Sequence, residues 1–401
     1  MFYRFLEVFM RRSLKFTSIG ASVLLLALAG CSSSGGGATD SASGGSAGTG
    51  TGADCKISQP VNVAAVFSLT GAAGQYGTGQ KNAIELAVDN LNKVGGVTYK
   101  LNVQDDKTDP KQGIQLFEQF VGDDTSVIVG PTLSNTAMQT DPIAQEGKIP
   151  VLGVSNTAEG VTALGDYVYR DSLTEGAVIP QTIKAAVKAH NLKKVVLMYS
   201  NDDAFTTSGF DAMKAALEKD GVKIVDTKTF SKADTDFHTV LDAVKNDKPD
   251  AIVVSALLDA AVPLVTQARE IGLDVPIVGG NGFNSPAFIK GAGDAAEGVI
   301  VGAAWNSASD NAQNQKFLSD YQAKYNAGPD QFAAQSYAGM QIIDNAVRLG
   351  CSGEREAIKK NLAKVKNLPT VLGDFSFDEN RDAVQEALVQ VVKGQKFTIL
   401  K

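Results

Sequence analysis

The chain has 401 residues, with 37 Lys and Arg against 44 Asp and Glu, two histidines, three cysteines and a net charge of −7. So acidic a chain is a poor match for phosphate backbones, which need clustered Lys and Arg, and so few histidines and cysteines argue against a zinc or copper centre. Beyond residue 54 about 345 residues remain, too many for one small core, so two domains are expected.

The chain opens on a basic stretch carrying Arg11, Arg12 and Lys15, and an apolar run from Ile19 to Ala29 follows. That run is too short to cross the ~30 Å core of a bilayer as a helix. Small residues Ala29 and Gly30 then precede Cys31. Leu28-Ala29-Gly30-Cys31 resembles a bacterial lipoprotein lipobox, which implies export, cleavage before Cys31 and a lipid on that cysteine. Residues 1–30 are then a signal peptide starting at Met1 or at Met10. Arg11-Arg12-Ser13-Leu14-Lys15 also resembles a twin-arginine signal, and the plainer alternative is an ordinary cleaved signal with an incidental cysteine. Residues 1–30 hold four basic residues and one Glu, so the remaining chain has 33 basic and 43 acidic residues, a net charge of −10. From Ser32 to Asp54 the chain is almost wholly Ser, Gly, Ala and Thr, which cannot bury enough apolar area to fold. Residues 31–54 therefore read as a lipidated cysteine on a flexible leash reaching roughly 25 Å.

Short apolar runs then alternate with amphipathic stretches. Val61–Phe67 reads as a strand and Gly79–Asn92 as a helix, with Ile84, Ala87, Val88 and Leu91 on one face. A strand over Leu101–Gln104, a helix over Lys111–Val121 and strands over Ser126–Gly130 and Pro150–Val154 follow. The pattern restarts with strands at Lys194–Tyr199, Lys223–Thr229 and Ala251–Ser255. Helices over Gly209–Asp220, Phe237–Lys245 and Val262–Ile271 come after them in turn, and strands at Ile277–Gly279 and Val299–Ala303 close the run. Two such βα blocks predict two doubly wound α/β lobes with parallel sheets covered on both faces. Ligands of open α/β sheets meet the loops at the carboxyl ends of the strands. Here those loops are Ser68–Thr78, Pro131–Thr136, Ser155–Glu159, Ser200–Ser208, Ser255–Ala261 and Gly280–Asn284. They are rich in Ser, Thr, Asn and Gly, which suits a hydrogen-bonding pocket.

Within these loops Ser134 begins a helical stretch disturbed at Pro142. Asn156 opens another, with Glu159 at capping-box spacing. Helix starts present unpaired N–H groups. With the Ser134, Ser155 and Thr157 hydroxyls they are suited to hold a carboxylate without any arginine, the alternative being that these residues only cap helices. Tyr76 lies in a glycine-rich loop that lacks the Gly-Lys-Ser/Thr of a phosphate loop. Phe205 and Trp305 either line a ligand or pack. No nucleophile or metalloprotease motif is present, so no enzyme, metal or cofactor is expected. Asp105-Asp106 reads as a turn element, since adjacent residues on an extended chain point apart. His190 and His238 read as surface or packing residues. Once Cys31 is lipidated, Cys55 and Cys351 either pair in an oxidising compartment or stay separate thiols.

The order and spacing of several short segments carry a resemblance across 58–400. They are Leu69-Thr70-Gly71 with Tyr76-Gly77, Ala87-Val88-Asp89-Asn90-Leu91-Asn92 with Gly95-Gly96, and Gln104-Asp105-Asp106 with Asp109-Pro110. Val127–Pro131, Ser134, Arg170, Gln267–Leu273, Ala296–Val299 and Gln335–Ala338 continue the series. The chain resembles the branched-chain amino-acid binding proteins, the substrate-binding components of ABC importers. The resemblance implies two α/β lobes of the type I periplasmic-binding-protein kind, joined by three hinge strands near Arg170–Ser172, Ala303–Asn306 and Phe375–Asp378. Lobe 1 is then 55–171 with 306–375 and lobe 2 is 172–305 with 376–401, which puts Cys55 and Cys351 in one lobe and favours their pairing. It implies that Ser134 and Thr157 hold a ligand carboxylate and that the Ser155 carbonyl helps hold an ammonium. Where family members carry the acid for that ammonium, this chain has Asn281, and a family tyrosine is Phe205 here, with Leu257 near a second one. A buried ammonium without its carboxylate is costly, so an amide or an apolar or aromatic carboxylate is as well suited as an amino acid. The implied role is a monomeric, membrane-tethered receptor delivering a small molecule to ABC permease subunits, the alternative being a sensor of the same fold that feeds a signalling protein.

Overall fold

A computed structural model describes residues 48–400; the expected signal peptide, Cys31 and residues 32–47 of the expected linker lie outside the described residues. The end of that linker departs from expectation: the Gly48 N–H donates to the Cys351 carbonyl (2.7 Å), Thr49 bridges to Lys56 and Gly52–Asp54 form a 3-10 turn, so residues 48–54 are held to the body by backbone hydrogen bonds. The first half of the fold alternates β1 (Val61–Phe67), α1 (Gly74–Val94), β2 (Tyr99–Asp105), α2 (Pro110–Gly122), β3 (Val127–Val129), α3 (Ser134–Glu146), β4 (Val151–Gly153) and β5 (Val168–Arg170). These five strands form one all-parallel sheet in the order β2-β1-β3-β4-β5. Successive side chains of a strand point to opposite faces, and β1 shows the consequence. Val61, Val63, Ala65 and Phe67 join one core with the buried faces of α1 and a later helix, while Ala64 and Val66 pack against Phe117 and Phe120 of α2. Covered on both sides, the strand has no need of a polar face.

The second half runs α4 (Glu175–His190), β6 (Lys194–Ser200), α5 (Ala204–Lys219), β7 (Lys223–Phe230), α6 (His238–Asp247), β8 (Ala251–Ser255), α7 (Leu258–Glu270), β9 (Ile277–Gly279), α8 (Pro286–Ala292) and β10 (Ile300–Ala303). Helices α9 (Ala312–Tyr325), α10 (Gln331–Gly350) and α11 (Arg355–Leu362) return to the first lobe, where α10 packs along α1. Strands β11 (Leu368–Thr370), β12 (Gly373–Phe377) and β13 (Ala383–Val384) form a small antiparallel sheet, and β14 (Leu388–Lys393) and β15 (Lys396–Ile399) end the described chain. The second main sheet has the order β15-β14-β10-β9-β8-β6-β7, antiparallel only where β14 and β15 join its edge. It too is sandwiched: Val195 and Leu197 face α4 and α5, whereas Val196 and Met198 face α6, α7 and α8. The molecule is thus a two-lobed, doubly wound α/β protein.

Three passages connect the lobes, after Arg170, after Ala303 and before Leu388. The third differs from the expected Phe375–Asp378. Phe375 and Phe377 are packed in the first core and Phe377 pairs with Ala383, so the chain leaves the first lobe only after β13. Cys55 and Cys351 are joined by a disulfide (S–S 2.15 Å) within the first core, across a sequence separation of 296. No helix among the described residues is long and apolar enough to cross a membrane.

Candidate ligand-binding cleft

The carboxyl ends of both sheets face one another around a narrow cavity of ≈ 20 Å³. The first lobe lines it with Tyr76, Thr132, Leu133, Ser134, Ser155, Thr157 and Phe332, and the second with Phe205, Leu257, Asn281 and Gly282. All six candidates read from the sequence, Tyr76, Ser134, Ser155, Thr157, Phe205 and Asn281, therefore border one space. Thr132 and Phe332 were not singled out in the sequence. Nothing local marks Phe332, which enters from α10, more than 250 residues after Tyr76.

The hydroxyl end is built by two loops. Gly130 ends β3 at φ 109°, and a Cβ there would lie 2.2 Å from the Val66 carbonyl, so only glycine lets the chain turn so tightly against β1. That turn delivers Ser134 to the first position of α3, where backbone N–H groups have no intrahelical partner. The Ser134 Oγ accepts a bond from the Ala158 N–H (3.3 Å), which leaves its own proton free to donate. After β4, Ser155–Thr157 continues as a bent loop. The expected helix opened by Asn156 is absent, because the Asn156 amide does not cap but donates to the Pro131 carbonyl (2.9 Å). The carbonyls of Asn156 and Ala158 are held in turn by Arg170, which is buried at the first passage and paired with Asp382 (2.5 Å). One helix start, that of α3, therefore faces the cavity from this side, not two.

The three expected hydroxyls differ in availability. Ser155 Oγ donates to the Thr132 carbonyl (2.6 Å) and accepts from Gln80 Nε2 (2.8 Å), while Gln80 Oε1 accepts from Thr132 Oγ1 (2.6 Å). Those groups are satisfied within the wall. The buried Thr157 Oγ1 has no partner, which is costly unless something in the cavity supplies one. Of the three hydroxyls, those of Ser134 and Thr157 are accordingly the ones left to donate into the space.

The rest of the lining is largely aromatic and aliphatic. The Tyr76 hydroxyl crosses between the lobes, donating to the Gly282 carbonyl (2.7 Å) and accepting from the Leu258 N–H (2.8 Å). Burial pushes its pKa upward, so it stays a neutral phenol. Its ring lies 4.6 Å from that of Phe332. Phe205 sits in the first turn of α5, positioned by Asp203, whose carboxylate accepts from the Phe205 and Thr206 N–H groups. Asn281 Oδ1 accepts from Gln331 Nε2 (2.8 Å) and Asn284 Nδ2 (3.2 Å). What remains free on Asn281 is its amide nitrogen, a donor.

The other sequence candidates lie elsewhere. Trp305 packs in the first core and donates to Asn314 (2.9 Å), away from the cavity wall. Asp105 and Asp106 are consumed by the turn after β2: Asp105 accepts from the Leu69 and Lys107 N–H groups, and Asp106 accepts from Ser68 Oγ and the Thr108 N–H. His190 and His238 are exposed on the surface. Among the described residues no cluster of His, Cys, Asp or Glu is suited to a metal ion.

Residues 60–396 match the family described as periplasmic binding protein. The Leu/Ile/Val-binding protein BraC3 of Rhizobium johnstonii is 26% identical over 335 residues, covering 82% of this chain and 90% of that protein. A branched-chain amino acid transporter substrate-binding protein from Streptococcus pneumoniae, solved with isoleucine, superposes with a TM-score of 0.79 at 29% identity, covering 84% of this chain and 98% of that one. An R. palustris solute-binding protein solved with benzoate shares the fold with a TM-score of 0.74 at 24% identity, covering 85% of this chain and 96% of that one.

Proposed function

This chain belongs to the periplasmic binding protein family, and on that premise we propose that it captures a small carboxylate-bearing or amide-bearing molecule between its lobes and hands it to an ABC importer. The observation that carries this reading is the polarity of the cavity. Free donors, namely the Ser134 and Thr157 hydroxyls and the start of α3, gather at one end. Tyr76, Phe205, Leu257 and Phe332 supply the apolar part of the lining. None of the eleven lining residues is charged. Such a site fits a carboxylate or amide carbonyl at the hydroxyl end and an apolar body beyond it. A zwitterionic amino acid fits less well, because Asn281 turns a donor to the place where an ammonium needs an acceptor. Isoleucine in one relative and benzoate in another show only that this fold tolerates both kinds of ligand.

Ligand contacts drawn from both lobes favour the closed arrangement, since an open pair would make only half of them. The three passages serve as the hinge in this reading, with 55–171 and 306–384 in one lobe and 172–305 and 385–401 in the other. Residues 1–30 direct export, and a lipid on Cys31 with the leash behind it keeps the monomeric receptor near its permease, raising their effective concentration.

One measurement tests both halves of this reading: mass spectrometry of the protein extracted from membranes, first native and then denatured. The expected result is an acylated Cys31 at the mature N-terminus and a released small carboxylate or amide. An unmodified N-terminus overturns the anchor, and a retained ligand with neither group overturns the assignment of the cleft.

A further inference from the structure

Behind the cavity wall lies an acid that the sequence did not mark. Glu175 is the first residue of α4, 2% exposed, and its N–H donates to the Thr157 carbonyl (3.0 Å). Its Oε2 has no hydrogen-bond partner, and neither does Ser255 Oγ at the end of β8. The two face one another across Gly209 of α5: a Cβ at that glycine would lie 2.3 Å from Ser255 Oγ and 3.4 Å from Glu175 Oε2. The bond from the Glu175 N–H to the Thr157 carbonyl sets the two residues side by side, and the Thr157 hydroxyl, itself without a partner, works against the effect of burial on the Glu175 carboxyl. Thr157 thus stands between two clients, the cavity in front and Glu175 behind.

We propose that Glu175 positions the Thr157 hydroxyl and that the cleft takes up a carboxylate ligand together with one proton, which lodges on Glu175. This rests on the reading that the hydroxyl end of the cleft holds a carboxylate. A hydroxyl has one proton to give. When Glu175 is ionised, it draws that proton backwards, so the cavity meets an oxygen lone pair with a negative charge behind it. A carboxylate ligand is repelled by both. When Glu175 is protonated, it donates to Thr157 Oγ1 or Ser255 Oγ, and the threonine proton is released towards the ligand. The proton comes from solvent and returns there on release, and no bond in the ligand changes.

Both forms of Glu175 are accessible near neutrality, since burial pushes its pKa up to about 7. The charged groups facing it are Glu159, which raises the value further, and Arg170, which opposes it. From the other packed elements, α5 offers Gly209 and β8 the Ser255 hydroxyl, while β10 meets α4 at Gly302 and β14 through the apolar Val389 and Val391. Neither histidine lines the cavity.

The test is calorimetric titration of the protein with 4-methylpentanoate, benzoate and the neutral analogue benzamide, from pH 5.5 to 8.5, in buffers of differing ionisation heat. For a carboxylate the expected result is proton uptake approaching one per ligand above neutrality. Its affinity should fall roughly tenfold per pH unit beyond about 7, since one pKa unit is a factor of ten. Benzamide, uncharged and able to turn its NH2 to an accepting Thr157 hydroxyl, should show neither effect. Glu175→Gln, which keeps the shape and loses the titration, should bind carboxylates with a flat pH profile. A wild-type carboxylate affinity that is flat from pH 5.5 to 8.5, with no proton uptake, overturns the proposal and leaves the carboxylate reading standing. Failure of both acids to bind even at pH 5.5 overturns the carboxylate reading itself, and this proposal with it.

Discussion

On the proposed reading, Asn281 sets what the cleft refuses, and Ser134 and Thr157 set what it accepts. Hydrogen bonds to a charged group are worth about 1.5–3 kcal/mol each. Ser134→Ala with Thr157→Ala should therefore weaken a carboxylate ligand by about 3–6 kcal/mol, read as a loss of two or more orders of magnitude in affinity by calorimetry. Unchanged affinity would falsify the carboxylate end. Asn281→Glu places an acceptor where the amide nitrogen stands free, so leucine or isoleucine should gain affinity by at least tenfold, while a simple carboxylate should lose it to charge repulsion. No gain for the amino acids would show that Asn281 does not face the ligand amine. Ser134 and Thr157 are visible in the sequence as hydroxyls beside expected helix starts, and the resemblance adds Asn281. Ser155 borders the cavity, but no sequence pattern shows that its hydroxyl is spent on Thr132 and Gln80. That pairing depends on Gln80, 75 residues away, and no local pattern reports it. Glu175 stayed hidden for the same reason: in sequence it is an ordinary acid in a helical first turn, and only burial against Thr157, Gly209 and Ser255 gives it a consequence.

At the scale of elements, the strands follow their apolar runs closely, and Ala251–Ser255 and Ile277–Gly279 fall where periodicity places them. Three of the helix starts do not, although α2 and α6 begin within one residue of expectation. Helices α1, α5 and α7 begin at Gly74, Ala204 and Leu258, each four or five residues before the amphipathic pattern becomes visible at Gly79, Gly209 and Val262. The physical reason is shared. Residues in or just before these first turns border the cleft, so Tyr76, Phe205 and Leu257 answer to the cavity and not to the heptad-like stripe that buries a helix against its sheet. Where a helix is out of period at its cleft end, the sequence is reporting a site. The first turns of α1 and α7 have no side-chain cap, but that of α5 does. The Asp203 carboxylate supplies this for α5 by accepting from the Phe205 and Thr206 N–H groups (3.0 and 3.2 Å). Asp203→Ala should cost about 1 kcal/mol of stability in urea unfolding and also weaken ligand binding by loosening Phe205. Asp203→Asn, which keeps an accepting oxygen, should restore most of both. Equal losses in the two variants would assign Asp203 some role other than capping.

For the whole molecule, the buried acids predict where stability peaks. Burial raises the pKa values of Asp141 and Asp171 well above the ordinary carboxylate range, Glu175 to about 7 and Asp330 to about 6. In the unfolded chain these groups ionise near pH 4. Between roughly pH 4 and 7 the folded state therefore holds protons that the unfolded state has released, and stability must fall as pH rises through that window. Glu175 alone, displaced from 4.5 to about 7, accounts for about 3 kcal/mol of this loss. The opposite set, Asp105, Asp166, Asp202, Asp226, Asp236 and Asp250, is held below the ordinary value by hydrogen bonds and Lys or His partners. Their contribution is present above the unfolded value and is lost as pH drops below roughly 4, but these groups lie near the surface, where solvent screens them. The buried set therefore dominates, and the ligand-free protein should be most stable between roughly pH 4 and 5.5. Urea unfolding at pH 5 and pH 8 checks this directly: the midpoint should be lower at pH 8, and Glu175→Gln should shrink the difference by raising the pH 8 value while leaving the pH 5 value nearly in place. A midpoint equal or higher at pH 8 would mean that these carboxyls ionise in the folded state at little cost, and that water reaches the floor of the cleft where Glu175 and Ser255 meet.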